Sequence, residues 1–239
     1  MLNIIKNYKF LSNQDKININ LLKNQGSCNL SHIIITNKEK YILKKNNQPI
    51  YNNVSKNFEF KIQNLSFKKG ISAKPILCDH NNQIFISEFI EGHHKNRINL
   101  MDISNLAKIL LKLHSIKISQ KPFSIKRYFQ QHNKTFNPKL KRVLLESYKY
   151  KKEFAICHND LNPQNIIFGG SIKLIDFEFA CVNDIYFDLA SICVEFNLNT
   201  REEFALLNSY FKNKPNIKKL KCYKILYQQV CKTWFGIID

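Results

Sequence analysis

A histidine, two aspartates and an asparagine stand at fixed offsets in an otherwise apolar stretch of this chain. The segment FAICHNDLNPQNIIFGGSIKLID (154–176) carries His158, Asp160, Asn165 and Asp176. Leucines there would pack at lower cost, so the polar side chains need another reason. NIIF and SIKLID flank Gly169-Gly170, a pair suited to the positive φ angles of a tight hairpin turn. Such a turn returns Asp176 to the neighbourhood of Asn165, with Asp160 on the loop entering the hairpin. An amide oxygen and a carboxylate so placed suit Mg²⁺, which takes hard oxygen ligands and commonly one or two carboxylates beside phosphates. Asp160 is then left to accept a hydrogen bond from a hydroxyl nucleophile. Phosphoryl transfer asks little basicity of that group, because positioning and charge neutralisation govern its loose transition state. The competing reading is a hairpin whose Asp and Asn merely cap turns.

The elements that must position these groups are legible upstream and downstream. Segments 17–24, 31–36, 40–45, 74–79 and 83–90 read as strands, with turns at Asn37-Lys38-Glu39 and His80-Asn81-Asn82. In 54–67, Val54, Phe58, Ile62 and Leu65 recur at helical spacing. The polar run 91–99 reads as a loop. From about 102 the pattern turns helical, with Ile103, Leu106, Leu110 and Leu113 on one face, and 138–150, 184–197, 201–212 and 216–233 follow as helices. A strand-rich part of about 90 residues thus precedes a helical part, joined near Glu91-Gly92. A cleft between two such lobes is a natural ligand site.

Composition narrows the function classes. With 44% hydrophobic residues the 239-residue chain has ample core material. No stretch reaches the roughly 20 apolar residues of a membrane span, and MLNIIKNYKF lacks a signal-peptide core. We therefore expect a cytoplasmic protein with no membrane partner. Seven scattered cysteines without a Cys-x-x-Cys pair suggest neither a disulfide framework nor a zinc site. The net charge of +19 raises nucleic acid as a partner. Yet only four of the 37 cations are arginine, and the lysines are spread among abundant Asn and Ile, the mark of an AT-rich genome. We expect no nucleic-acid partner.

The motifs carry a resemblance. His158-Asn159-Asp160 with Asn165, followed by Ile175-Asp176-Phe177-Glu178, resembles the catalytic and metal loops of the protein-kinase-like superfamily. The likeness is nearer to its aminoglycoside phosphotransferase and choline kinase group. LIDFEFACVNDIYFDLASICVEF (174–196) is similar to choline and ethanolamine kinases, and HNDLNPQN (158–165) to bacterial choline kinases. The close match spans about 156–196, and the remainder matches in order and spacing only.

The resemblance implies an α+β, two-lobed kinase-like fold. A small antiparallel-sheet lobe (1–91) would bind the nucleotide, and a mainly helical lobe (92–239) would carry catalysis and the acceptor. It implies ATP and Mg²⁺ as cofactors, and a small amino alcohol as substrate for a monomer or homodimer. By the same resemblance Asp160, Asn165 and Asp176 are catalytic, with Asn165 and Asp176 holding the metal. His158 anchors the loop, and Asp188 holds it from the following helix. Asn159 stands where many protein kinases have arginine, and the short interval from Asp176 to Asp188 leaves no room for a regulatory loop. Both features favour a small-molecule kinase.

For the nucleotide, QGSCNLSH (25–32) sits where the family covers the phosphates, which puts Gly26 and Asn29 there. Lys44 of YILK is the candidate for the α- and β-phosphates, with Lys45 its rival and Glu59 its ion-pair partner. SEFIEG (87–92) is similar to the adenine-holding hinge, through Glu88 and Ile90. On the acceptor side, Glu178, Asp184 and Glu195 offer negative charge. Tyr227 and Trp234, seven apart on a helix, offer aromatic faces for a quaternary ammonium, with packing in the core as the alternative. Choline heads the acceptors, followed by ethanolamine, thiamine and an aminoglycoside. A catalytically inactive nucleotide-binding module is the remaining alternative.

Overall fold

The computed structural model describes residues 2–12, 14, 16–23, 25, 29–46, 55–132, 134 and 137–238. Five antiparallel strands form the first layer: β1 (Ile17–Leu21), β2 (Asn29–Thr36), β3 (Lys40–Asn46), β4 (Pro75–Asp79) and β5 (Ile84–Glu88), in the order β1-β2-β3-β5-β4. Alternation along the strands puts Ile34, Leu43 and Ile86 on one fully buried face. Ile5 of the short helix α1 (Leu2–Lys6) and Leu11 complete that core. No N-terminal helix is expected from the sequence, because MLNIIKNYKF is too short to show a helical period. Tyr8 behind it ties down by donating its hydroxyl to Asp79 at 2.7 Å.

Helix α2 (Lys56–Lys68) crosses from this sheet to the second lobe. Ser55 caps it by accepting from the Phe58 N–H at 3.2 Å. Ile62 is fully buried, with Phe58 and Leu65 packed beside it; Val54 lies outside the described residues. In the second lobe stand α3 (Leu100–His114), α4 (Ile125–Gln131), α5 (Pro138–Tyr148), α6 (Tyr186–Glu195), α7 (Thr200–Tyr210) and α8 (Ile217–Ile238). Ile103, Leu106, Leu110 and Leu113 all face the large core at 0% exposure, as their spacing requires. The many asparagines have local work. Asn99 and Asn199 close capping boxes with Asp102 and Glu202, and Asn137 caps α5.

Between α5 and α6 lie two small ribbons, β6 (Phe154–Cys157) with β9 (Cys181–Asp184) and β7 (Ile166–Ile167) with β8 (Lys173–Leu174). Two expectations are corrected here. The helix expected from 184 begins at Tyr186, because Cys181–Asp184 is taken by pairing with β6. Gly169 and Gly170 are not at positive φ; the β7–β8 connection is a wider loop. Gly169 serves close approach instead, since a Cβ there would lie 3.0 Å from the Glu91 carbonyl oxygen. Among the described residues no helix is long and apolar enough to cross a membrane.

Candidate active site

Asp188 builds the loop that carries the site. It is fully buried on α6, and its Oδ2 accepts from the His158 N–H at 2.9 Å and its Oδ1 from the Asn159 N–H at 2.8 Å. His114 Nε2 lies 3.0 Å from the same Oδ2, with its Nδ1 2.7 Å from the Tyr210 hydroxyl. These bonds hold Asn159 in the left-handed region at φ 68°. His158 then donates from Nε2 to the Ile175 carbonyl at 2.9 Å and lies against Phe177. Asn159 donates to the Phe179 carbonyl at 2.9 Å. One loop is thereby locked to the other without any part played by Asp160, Asn165 or Asp176.

The three groups of the sequence motif meet. Asp160 Oδ2 accepts from Asn165 Nδ2 at 2.7 Å, and Oδ1 from Asn162 Nδ2 at 3.0 Å. The Asn165 amide nitrogen also donates to the Asp160 carbonyl at 2.9 Å. Its N–H₂ is thus spent inside the loop, which leaves the side-chain oxygen to serve a cation. Ile175 donates to the Asn165 carbonyl at 3.0 Å and so brings the next residue, Asp176, alongside. Asp176 sits in the left-handed region at φ 66°, ψ 68°, a conformation that costs a non-glycine residue about 1–3 kcal/mol. Lys44 Nζ lies 2.7 Å from Asp176 Oδ1.

Electrostatics separates the two aspartates. Burial, with Asp176 nearby, raises the Asp160 carboxyl above its ordinary range against the pull of the Asn162 and Asn165 amides. Burial also opposes charge on Asp176, but Lys44 outweighs it and holds that carboxyl low. Lys44 responds in kind: burial works against its charge, and Asp176, Glu59 and Glu178 together keep the ammonium above its usual value. Since successive residues of β3 point to opposite faces, Lys44 and not Lys45 reaches the cleft.

Glu59 departs from its expected role as the partner of Lys44. It is 1% exposed on the first turn of α2 and pairs with Lys56, three residues before it, at 2.8 Å. The pairing follows from helix geometry, since i and i+3 share a face, and Lys44 is drawn to Asp176. Lys56 is thus a cation beside the site that the sequence reading missed; its spacing to Glu59 is the signal. Glu178 lies toward the sheet lobe, apart from Glu195. The 3-10 turn Phe177–Phe179 sends it toward β2, where Asn29 Nδ2 donates to its Oε2 at 2.9 Å. Burial and the neighbouring Asp176 push its carboxyl up to about 8. Gly26 lies outside the described residues. At the hinge, the Glu88 N–H goes to the Lys74 carbonyl and that of Phe89 to the Lys40 carbonyl, which carries the chain out to Ile90.

Among the residues expected to meet the acceptor, Glu195 accepts from the Tyr227 hydroxyl at 2.8 Å, and burial raises its carboxyl, with a further push from Asp160. Tyr227 also meets Phe187 edge-on, and Trp234 meets Phe179 edge-on with centroids 5.0 Å apart. Helix α8 is continuous through both, and Trp234 is half-buried while Tyr227 is buried. Asp184 does not join them. It is 1% exposed and saturated by Lys219 Nζ at 2.9 Å and by the N–H groups of Glu153 and Tyr186. A carboxylate so buried and so paired is turned to the interior and not offered to a ligand.

A five-stranded antiparallel lobe above a helical lobe, with a lysine of β3 facing an Asp-x-x-x-x-Asn loop and a second aspartate, defines a protein-kinase-like phosphotransferase fold. The profile of the phosphotransferase enzyme family (APH) matches residues 25–214, and the chain belongs to that family. It is 28% identical over 191 residues to a LicA protein homolog of Metamycoplasma hominis, covering 74% of each chain. Among solved structures it is similar to choline kinase LicA of Streptococcus pneumoniae, with a TM-score of 0.82 at 22% identity over 99% of this chain and 90% of that one. It also resembles an ethanolamine kinase of Plasmodium vivax, with a TM-score of 0.76 at 20% identity over 92% and 75%.

Proposed function

We propose that this phosphotransferase moves the γ-phosphate of ATP to the hydroxyl of a small amino alcohol, choline foremost. The observation that carries the proposal is the Asp160–Asn165–Asp176 cluster facing Lys44, in a chain similar to a choline kinase. The lobes fall at 1–91 and 92–239 in this reading, with adenine held by the backbone from Glu88 to Ile90.

Asp160 receives the acceptor hydroxyl. Both of its carboxylate oxygens are held by side-chain amides, so the group is aimed before the substrate arrives. It accepts the hydroxyl hydrogen bond and takes the proton as the phosphoryl group is transferred; ordinary basicity suffices. The Asn165 oxygen and the Asp176 carboxylate form a hard oxygen donor set, beside which a cation, the Lys44 ammonium, already sits. They are the groups that would hold Mg²⁺, whose contribution there would be to neutralise charge on the transferred phosphoryl group. Lys44, now on Asp176, would be the group to meet the α- and β-phosphates, with Lys56 and Glu59 behind it. Asn29 and Glu178 border the same phosphates from β2 and the metal turn. Glu195 and Trp234 receive the ammonium end, while Tyr227, buried in the core and not open to a ligand as first expected, orients Glu195 through its hydroxyl. A cation over an aromatic face gains about 0.5–2 kcal/mol.

The test is ADP release from Mg·ATP with choline, ethanolamine, thiamine and kanamycin offered separately. We expect turnover with choline. Turnover with another member alone keeps the kinase and removes choline, and ATP binding with silence across the panel sinks the acceptor class.

A further inference from the structure

The loop after the hinge lies against the catalytic hairpin more tightly than a linker needs to. His93 and Phe168 exchange both backbone bonds, at 2.9 and 2.8 Å. A Cβ on Gly92 would fall 2.4 Å from Ile167 Cγ2 and 2.6 Å from the Phe168 carbonyl oxygen, so only glycine fits. Lys95 follows, with its ammonium 4.6 Å from the Phe168 ring centroid and 2.9 Å from Asp102. Within this strap the His94 ring makes two contacts: Nδ1 lies 3.1 Å from the Pro163 carbonyl and 2.9 Å from the Ile166 carbonyl. Both partners are acceptors, so Nδ1 carries the hydrogen and shares it between them.

Those two carbonyls bracket Asn165. The 3-10 turn Pro163–Asn165 is otherwise closed by the Asn162 cap and by the bond from the Asn165 N–H to the Asn162 carbonyl at 3.0 Å. We propose that His94 is a positioning residue, which fixes the turn presenting Asn165 to the metal from outside the catalytic loop. Its ring is exposed and fills no core; its reach to two backbone oxygens on either side of one metal-facing residue is what it contributes. The effect resembles an outer-sphere partner of a metal ligand, whose loss commonly costs about 10-fold or more in metal affinity. The same strap begins at the hinge, so the nucleotide's adenine end and its metal end are set by one short piece of chain.

The inference rests on Asn165 as a metal ligand, and the experiment separates the two. Mn²⁺ binding is followed by electron paramagnetic resonance with a non-hydrolysable ATP analogue, for wild type, His94→Ala, His94→Asn and Asn165→Ala. We expect His94→Ala to weaken Mn²⁺ binding about 10-fold, with His94→Asn recovering most of it because its amide N–H can reach the same carbonyls. The acceptor KM should stay within a factor of two in both. If Asn165→Ala weakens Mn²⁺ and His94→Ala does not, the positioning role is overturned and the site reading stands. If Asn165→Ala leaves Mn²⁺ unchanged, the site reading itself falls. A His94→Ala defect that asparagine does not relieve also overturns the role.

Discussion

Four aspartates between 160 and 188 serve two regions of the molecule, and they are held in opposite ways. Behind the catalytic loop, Asp184 and Asp188 are sealed from solvent and saturated by backbone N–H groups and by Lys219 or His114. Facing the cleft, Asp160 and Asp176 are half-buried, and their hydrogen-bond or ion-pair partners are the side chains of Asn162, Asn165 and Lys44. Backbone donors are fixed by the fold, whereas side-chain donors can swing away when a ligand offers something better. Residue type alone does not separate the regions. What donates to each carboxylate does.

The contrast breaks most directly by truncation. Asp188→Ala strands two buried N–H groups and is expected to cost at least about 3 kcal/mol of stability, taking activity with it. Asp160→Ala is expected to keep its unfolding midpoint while turnover falls on the order of 10²–10⁴-fold and Mg·ATP still binds. Urea unfolding beside ADP release measures both, and equal destabilisation by the two variants would erase the distinction. A smaller effect sharpens the cleft side: Trp234→Ala should raise the acceptor KM roughly 2- to 30-fold and leave that of ATP alone. Equal shifts in both would make Trp234 a core residue.

The smallest expected effect lies in the sheet lobe. Asp79 accepts from the Asn82 side chain and from Tyr8, and these bonds, with the Asn82 N–H, hold its carboxyl at about 2. A carboxyl depressed on folding contributes stability above its unfolded value, near 3.8, and loses it as pH falls toward 2. Asp79→Asn should therefore be less stable than wild type at pH 6, with the gap closing by pH 2. A gap that is constant with pH would leave the carboxylate's charge without a part in it.

The sequence made the second region more legible than the first. Asp160, Asn165 and Asp176 announce themselves because their offsets survive in one short segment, and a hairpin of any width brings them together. Helix α3 and the five strands follow from spacing alone. Contacts between distant segments were not legible. Nothing local joins Asn29 to Glu178 or His94 to Ile166, and a buried aspartate such as Asp184 looks identical in sequence to a cleft one. Glu59 went to Lys56 because the nearer cation on its own helix face competes with the distant strand lysine. The hairpin glycines were misjudged for a related reason: Gly169 answers to the hinge loop packed against it, not to the turn it sits in.

In the proposed reaction the cleft aspartates pass phosphate from ATP to an amino alcohol and not to water. Phosphorus NMR of choline with Mg·ATP, using wild type and Asp176→Asn, tests it in one spectrum. Phosphocholine and ADP are expected to grow in equal amounts with wild type, and neither with a folded Asp176→Asn. Inorganic phosphate without phosphocholine, or an unchanged signal from the variant, would contradict it.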